Sequence, residues 1–269
     1  MKKRQYGQTI FLALVLCFIY LPILILAVYS FTDSAQIGRI HAFSLQNYIT
    51  LFTSEELLVM IRGTVVLAVV TSLISTVLGT LGAIGAYYSK KGPAAVIRTI
   101  NQIPVVNAEV VTGFAICILL VVVFGISRDT YIPIVVGYVV LCSPFVYLSV
   151  IPKLRQMDDN LYEAALDLGA RPFYALRKVL IPQIMPGIVS GFMLSITLAL
   201  DDYFIATYTK PSTFDTISTY VVNATRGAQT SIKTALWALS TIIFVIVILV
   251  VVGMNRSAAK KEEGTVTQG

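Results

Sequence analysis

The side chains best equipped for chemistry in this sequence are carboxylates set among apolar residues. Glu109 stands five residues after Pro104, at the head of the uncharged stretch Val110–Ser127. Asp201 and Asp202 close another uncharged stretch, Val179–Leu200, and Tyr203, Phe204 and Tyr208 follow them. Carboxylates beside aromatic faces suit an alkylammonium group, through ion pairing and cation–π attraction. Each also has a plainer reading. Glu109 can be a helix N-terminal acid, favoured there by the helix dipole. Two acids at the negative end of a helix are unfavourable. Asp201 and Asp202 therefore need a cation, a basic neighbour or a helix break that makes them caps of the next segment. In that last case the pair is a structural element.

Other chemistries are poorly supplied. The one histidine, His41, lies in a polar stretch after the first apolar run and reads as a loop residue. Cys17, Cys117 and Cys142 sit inside apolar runs, with neither zinc-site nor disulfide spacing. No G-x4-G-K-[ST] is present. The sequence thus encodes no phosphate-cradling loop of that kind, and ATP hydrolysis by that route is excluded.

The stretch Lys153–Lys178 carries a second pattern: Glu163-Ala164-Ala165, three residues, Gly169, nine residues, then Val179-Leu180-Ile181-Pro182. Asp158, Asp159 or Asn160 is placed to cap a helix starting near Leu161. Gly169 can end that helix, and Arg171-Pro172 can begin another. The stretch reads as helix, turn, helix, a compact knob for a soluble partner.

The elements that must position these groups are membrane spans. The chain has 269 residues, 57% hydrophobic and 13% charged, against about 25% charged in soluble domains. That composition excludes an ordinary cytosolic enzyme, a disordered chain and a nucleic-acid-binding module. Six uncharged runs are present: Gln5–Thr32, Gly63–Ser89, Val110–Ser127, Thr130–Pro152, Val179–Leu200 and Thr234–Asn255. A span needs about 20 apolar residues. Five runs suffice outright, and the third does if it begins near Pro104 and carries Glu109 into the membrane. The first run is too long for a signal peptide and lacks a small-x-small cleavage site, so it reads as a retained helix.

With both ends cytoplasmic, fourteen of the twenty basic residues fall inside, as the positive-inside rule requires. The net charge of +6 is then a topology signal and calls for no anionic partner. Pro22, Pro104, Pro133, Pro144 and Pro186 read as kinks. Gly79, Gly82, Ala83, Gly85 and Ala86 read as a close-packing stripe. Residues 33–62 read as an external segment with a helix start before Leu57, and residues 90–101 as a short basic cytoplasmic loop. The expected fold is all-α: one six-span transmembrane domain over 1–255. Its first helix lies at about 8–31, its core helices at about 61–255, and the knob at 153–182. A disordered cytoplasmic tail follows at 256–269.

The pattern at Glu163–Pro182 resembles the EAA-x3-G-x9-I-x-L-P signature of the membrane subunits of bacterial ABC importers, with Val179 and Ile181 in place of Ile and Leu. Four further stretches are similar to the spermidine/putrescine permeases, and closest to the second of their two permease subunits. These are Tyr20-Leu21-Pro22-Ile23 with Tyr29-Ser30-Phe31; Leu166–Ala170; Leu176–Pro182; and Ser195-x-Thr197-Leu198-x-Leu200-Asp201-Asp202-Tyr203.

The resemblance implies the type I importer (MetI-like) permease fold in a bacterial inner membrane, surrounded by lipid, with no nucleic acid. It implies a second permease subunit, two ATPase subunits and an extracytoplasmic polyamine-binding protein. ATP and Mg would bind the ATPases, leaving this chain without cofactor, metal or catalytic residue. Glu163, Ala164, Ala165, Gly169 and Pro182 would couple to the ATPases. Glu109, Asp201, Asp202 and Tyr203 would line the path. The same machinery could import a phosphonate, an inorganic anion or a ferric complex, but the embedded charge here is acidic. An ion-coupled secondary transporter with Glu109 as relay is opposed by the knob and by the lack of internal repeats.

Overall fold

The computed structural model describes residues 2–32, 42–158, 160–226, 234–245 and 248. His41 and the tail at 256–269 lie outside them. The described residues form helices α1 (Lys2–Ser30), α2 (Gln46–Thr53), α3 (Glu55–Tyr88), α4 (Lys91–Val106), α5 (Glu109–Cys117, continued by π turns Ile118–Val123) and α6 (Ile132–Gln156). Next come α7 (Asn160–Asp167), α8 (Pro172–Ala175), π turns Leu176–Leu180, α9 (Ile181–Asp201), α10 (Phe204–Thr209) and α11 (Ile217–Arg226). A last apolar helix, α12, covers Thr234–Val245. No strands occur among the described residues beyond one isolated bridge, Thr32 to Phe43.

The chain divides into two compact units, residues 1–58 with 221–269, and residues 59–220. In the first, α1 carries apolar side chains all round, with Phe11, Phe18 and Leu24 exposed; such a helix suits lipid, not water. Buried Asn47 closes its C-terminus by donating from Nδ2 to the carbonyls of Ser30 and Thr32, both at 2.9 Å. Those carbonyls would otherwise lack partners. Ser54 separates two helices. Its N–H donates to Thr50 O, closing α2, and its Oγ accepts from the N–H of Leu57 at 3.5 Å, opening α3. The rings of Tyr29 and Trp237 meet edge-on at 5.8 Å, which sets α12 beside α1.

In the second unit small polar residues share the interior with apolar ones such as Leu67, Ala68 and Ile134. Helix α3 turns Thr64, Thr71, Ser72, Ser75, Thr80 and Ala83 inward, while Val66, Val70, Leu73, Val77 and Leu81 are exposed. Small inward residues let spans approach closely where lipid already solvates the apolar ones. A Cβ at Gly79 would lie 2.7 Å from Ser143 O; at Gly82 the nearest atom is at 3.9 Å, and at Gly85 the space is open. Of the expected glycine stripe, Gly79 is the one that close packing demands. Helices α6 and α9 pair in the same way, Gly187 against Ser149 and Lys153 and Gly191 against Val146.

Among the described residues three helices are long and apolar enough to cross a membrane: Glu55–Tyr88, Ile132–Gln156 and Pro172–Asp201; a fourth span results if the bent pair Lys91–Val106 and Glu109–Val123 counts as one. Leu14–Ser30 and Thr234–Val245 are shorter apolar helices among the described residues.

Two expectations need correction. Residues 90–101 are no loop but most of α4. Proline is tolerated in a first helical turn, and Pro93 occupies that place. Ile97 packs on the core cluster of Ala83, Val146 and Leu154. Nor does the third span run straight from Pro104. The chain leaves helix at Asn107, extended at ψ 146°, and Ala108, at ψ 133°. It turns by 106° between α4 and α5.

Candidate functional site

Helix α9 ends at Asp201, and Asp202-Tyr203 break the chain before α10. Asp202 is 6% exposed. Its Oδ1 accepts from the N–H of Ile205 at 3.3 Å and its Oδ2 from that of Ala206 at 2.9 Å. These are first-turn donors of α10, which have no partner inside the helix, and the carboxylate sits at the positive end of that helix. A helix break thus resolves the awkward position of the acid pair, with Asp202 serving as a cap. Asp201, one residue earlier, is exposed.

Helix α10 lies between α5 and α6. A Cβ at Gly113 would come 3.0 Å from Ile205 Cα, and one at Gly137 would come 2.6 Å from Ile205 Cγ2. Phe114 and Tyr208 meet edge-on at 5.8 Å. Gly113 follows Glu109 by four residues and Ile205 follows Asp202 by three, so the starts of α5 and α10 fall together. Glu109 and Asp201 both stand near enough to Asp202 to act on it electrostatically. Glu109 itself is exposed, as the first residue of α5. Tyr203 is half-buried, its ring 5.4 Å from that of Phe204. Asp201, Asp202 and Tyr203 are consecutive where α9 gives way to α10, and the packing of α5 on α10 brings the start of α5, at Glu109, towards Asp202.

The Lys153–Lys178 stretch forms the expected hairpin. Asp158 Oδ1 accepts from the N–H of Asn160 at 3.0 Å and opens α7; Asp159 lies outside the described residues. Gly169 takes φ +84°. Its N–H donates to Leu166 O at 2.9 Å, and that of Ala170 donates to Ala165 O at 3.0 Å. The two bonds make a Schellman closure, which glycine favours because it has no Cβ to oppose positive φ. Pro172 opens α8; Pro182 lies within the continuous helix Pro172–Asp201, just after the π turns Leu176–Leu180, and has no N–H to give the turn before it. Glu163 and Ala164 are exposed and Ala165 is half-buried. Leu168, Phe173 and Tyr174 project into the open, Leu168 at 89%.

Sequence reasoning missed a polar tie between two loops. Asp129 Oδ1 accepts from Ser212 Oγ at 2.6 Å and from the Ser212 N–H at 3.2 Å. The Ser212 hydroxyl, then its N–H, hold the Asp129 carboxyl below the usual carboxylate range. Next to it, Lys210 Nζ pairs with Asp215 Oδ1 at 2.9 Å. Only the Ser-Thr turn chemistry of Pro211-Ser212-Thr213 hinted at it, with nothing to name Asp129 as the partner.

Comparison with known proteins bears on the whole assembly. The spermidine/putrescine transport system permease protein PotC of Escherichia coli (strain K12) is 25% identical over 255 residues, 94% of each chain. The putrescine transport system permease protein PotI of the same strain is 28% identical over 232 residues, covering 83% of this chain and 81% of its own. In fold, the chain is similar to one from a bacterial ABC transporter involved in the import of the acidic polysaccharide alginate. The TM-score is 0.73 and the identity 19%, covering 95% of this chain and 96% of that one. Residues 75–262, which contain the acidic cluster and the hairpin, match the family described as the binding-protein-dependent transport system inner membrane component. On that match the chain belongs to this family of ABC importer permease subunits.

Proposed function

We propose that this chain is one of two permease subunits of a polyamine importer, and that it crosses a bacterial inner membrane six times with both ends in the cytoplasm. The observation that supports the substrate class is the packing of α5 on α10 through Gly113 and Ile205, which sets the exposed acid Glu109 towards the break that holds Asp201, Asp202 and Tyr203. Three carboxylates attract a cation. Asp202 spends its oxygens on α10, so exposed Glu109 and Asp201 remain to meet an ammonium, and the Tyr203 ring adds its face. The spermidine and putrescine systems of the relatives support the same class. An anionic substrate would be repelled at this point.

The hairpin is the coupling element in this reading. Exposed Leu168, Phe173 and Tyr174 need a cover, and an ATPase subunit supplies one. Closure of two such subunits would move the hairpin as a rigid body and, through α9, swing the acidic cluster. Hydrolysis belongs to those subunits, with ATP and Mg bound there, and an extracytoplasmic binding protein delivers the substrate. Selection between spermidine and putrescine then falls largely to the binding protein.

The decisive experiment is uptake of labelled spermidine and putrescine by a reconstituted complex of this chain with its second permease, ATPase and binding protein. A phosphonate and a ferric complex serve as controls. Uptake of a control in place of polyamines would overturn the substrate class. For topology, single reporter cysteines in a cysteine-free chain should label from outside at Ser212 and from inside at Ala170. Labelling of both from one side overturns the six-span arrangement.

A further inference from the structure

Three tyrosines gather where α3 ends against α7. Tyr87 and Tyr88 close α3; Tyr162 and Glu163 stand on α7, with Leu166 one turn on. These five residues line an open pocket of about 520 Å³. The rings of Tyr87 and Tyr88 meet edge-on at 5.1 Å, and those of Tyr88 and Tyr162 lie 5.5 Å apart at 44°. Tyr87 and Tyr162 pack on the buried cluster of Ala83, Ala86, Leu154 and Leu180. Glu163 is exposed and has no hydrogen-bond or ion-pair partner among the described residues.

We infer that this pocket is a binding site for a small organic cation with an alkylammonium head, separate from the path at Glu109. An aromatic lining attracts an ammonium group, Tyr162 contributes a ring to it, and Glu163 adds the one full charge. An anion would meet a carboxylate, and a neutral solute would leave it unused. The volume falls in the range of about 300–1,000 Å³ typical of small-molecule sites and exceeds what the tip of one basic side chain fills. The regulatory consequence rests on the proposed coupling role of the hairpin. A cation held on α7 occupies the face through which Glu163 would meet the ATPase, so accumulated amine would weaken coupling and slow further import.

The test is equilibrium dialysis of radiolabelled choline and putrescine against the purified full chain in lipid nanodiscs, with 3,3-dimethyl-1-butanol as the neutral analogue of choline. Both cations should bind saturably, and the alcohol should not compete. Tyr162→Ala should weaken binding roughly 2- to 30-fold, the span of one cation–π contact. Tyr162→Phe should keep most of the affinity, because the ring face remains. Glu163→Gln, an isosteric change on an exposed side chain, should weaken both cations and guards against misfolding of the alanine variant. Unchanged binding in both Glu163→Gln and Tyr162→Ala would overturn the site. So would normal cation binding joined to loss of ATPase capture, which would give the pocket to a basic side chain of that subunit. Choline is no polyamine, so its binding stands or falls apart from the uptake result that decides the substrate class.

Discussion

The acidic cluster and the hairpin both depend on a carboxylate, but they are built in opposite ways. Asp202 is buried, and both its oxygens accept from backbone N–H groups of α10. Glu163 is exposed, and the backbone of its hairpin is closed by Gly169 without its help. One carboxylate is consumed by the fold and the other is left over from it. A charge consumed by the fold is a poor candidate for a ligand and a good one for a structural requirement. A charge left over is available for a partner. The contrast also divides Asp202 from its neighbours Glu109 and Asp201, which the fold leaves exposed.

The largest expected effect comes from removing the consumed charge. Asp202→Ala leaves two first-turn donors of α10 without partners, each costing on the order of 1–3 kcal/mol. The variant should show a lower melting point in detergent and poor assembly with the second permease. Asp202→Asn keeps one acceptor oxygen and should lie between. A variant Asp202→Ala as stable as wild type would erase the distinction drawn here.

Glu109→Gln tests the other half of the comparison. It keeps size and removes a charge that the fold does not use, so the melting point should hold. Uptake of spermidine or putrescine should fall roughly 10- to 150-fold, the equivalent of about 1.5–3 kcal/mol for a hydrogen bond to a charged group. Full polyamine transport in Glu109→Gln at normal expression removes it from the path and leaves the hairpin assignment standing. Asp201→Asn belongs beside it as the second exposed acid.

At the hairpin the backbone, and not space, sets the effect. A Cβ at Gly169 meets nothing within 4 Å, yet φ is +84°. The cost of Gly169→Ala is therefore conformational, about 1–2 kcal/mol, and Gly169→Asn should cost less because Asn tolerates that region. Gly169→Asp adds an unpaired charge at the surface offered to the ATPase. ATP-driven uptake should decline in the order Asn, Ala, Asp, with the chain inserted normally in all three. Wild-type uptake and ATPase association in Gly169→Asp would remove the reason for placing the coupling there.

Much of this was legible in the sequence because local chemistry decides it. The turn at Gly169, the start of α8 at Pro172 and, of the stripe on α3, the close packing of Gly79, Ala83 and Ala86 follow from residue type and spacing; the inward Thr64, Thr71, Ser72 and Ser75 gave no such signal. The acidic cluster was legible residue by residue, but its convergence was not. Packing of α5 on α10 through Gly113 brings Glu109 to Asp202, and no local signal states that contact. Helix α4 was misread because Lys90, Lys91 and Arg98 suggested a loop between spans. Its half-buried face of Ala94, Ile97 and Asn101 has helical spacing interrupted by polar residues. The turn at Asn107-Ala108 escaped notice for a related reason: neither residue is a strong breaker, and Pro104 drew attention three residues too early.

The smallest effect lies in the exposed loops, where Asp129 meets Ser212. Here a carboxylate is neither buried nor left over. It is fully solvated and held by two donors from one residue. Its folded pKa lies below the ordinary 3.8, through the Ser212 hydroxyl first and the Ser212 N–H second. A depressed folded pKa stabilises the tie above the unfolded value, and that contribution disappears as pH falls through the folded one. The tie should therefore be whole at neutral pH and weaken only below about pH 4. Ser212→Ala removes the stronger donor and keeps the N–H. The Asp129 carboxyl should then titrate at a higher pH, nearer its ordinary range, and the loop at 128–131 should become open to protease at a less acid pH than in wild type. Water competes for both donors, so the melting point at pH 7 should move little. Carboxyl-labelled aspartate followed by NMR through the acid range reads the shift directly. Identical titration of Asp129 in the two proteins would mean that the Ser212 hydroxyl holds nothing.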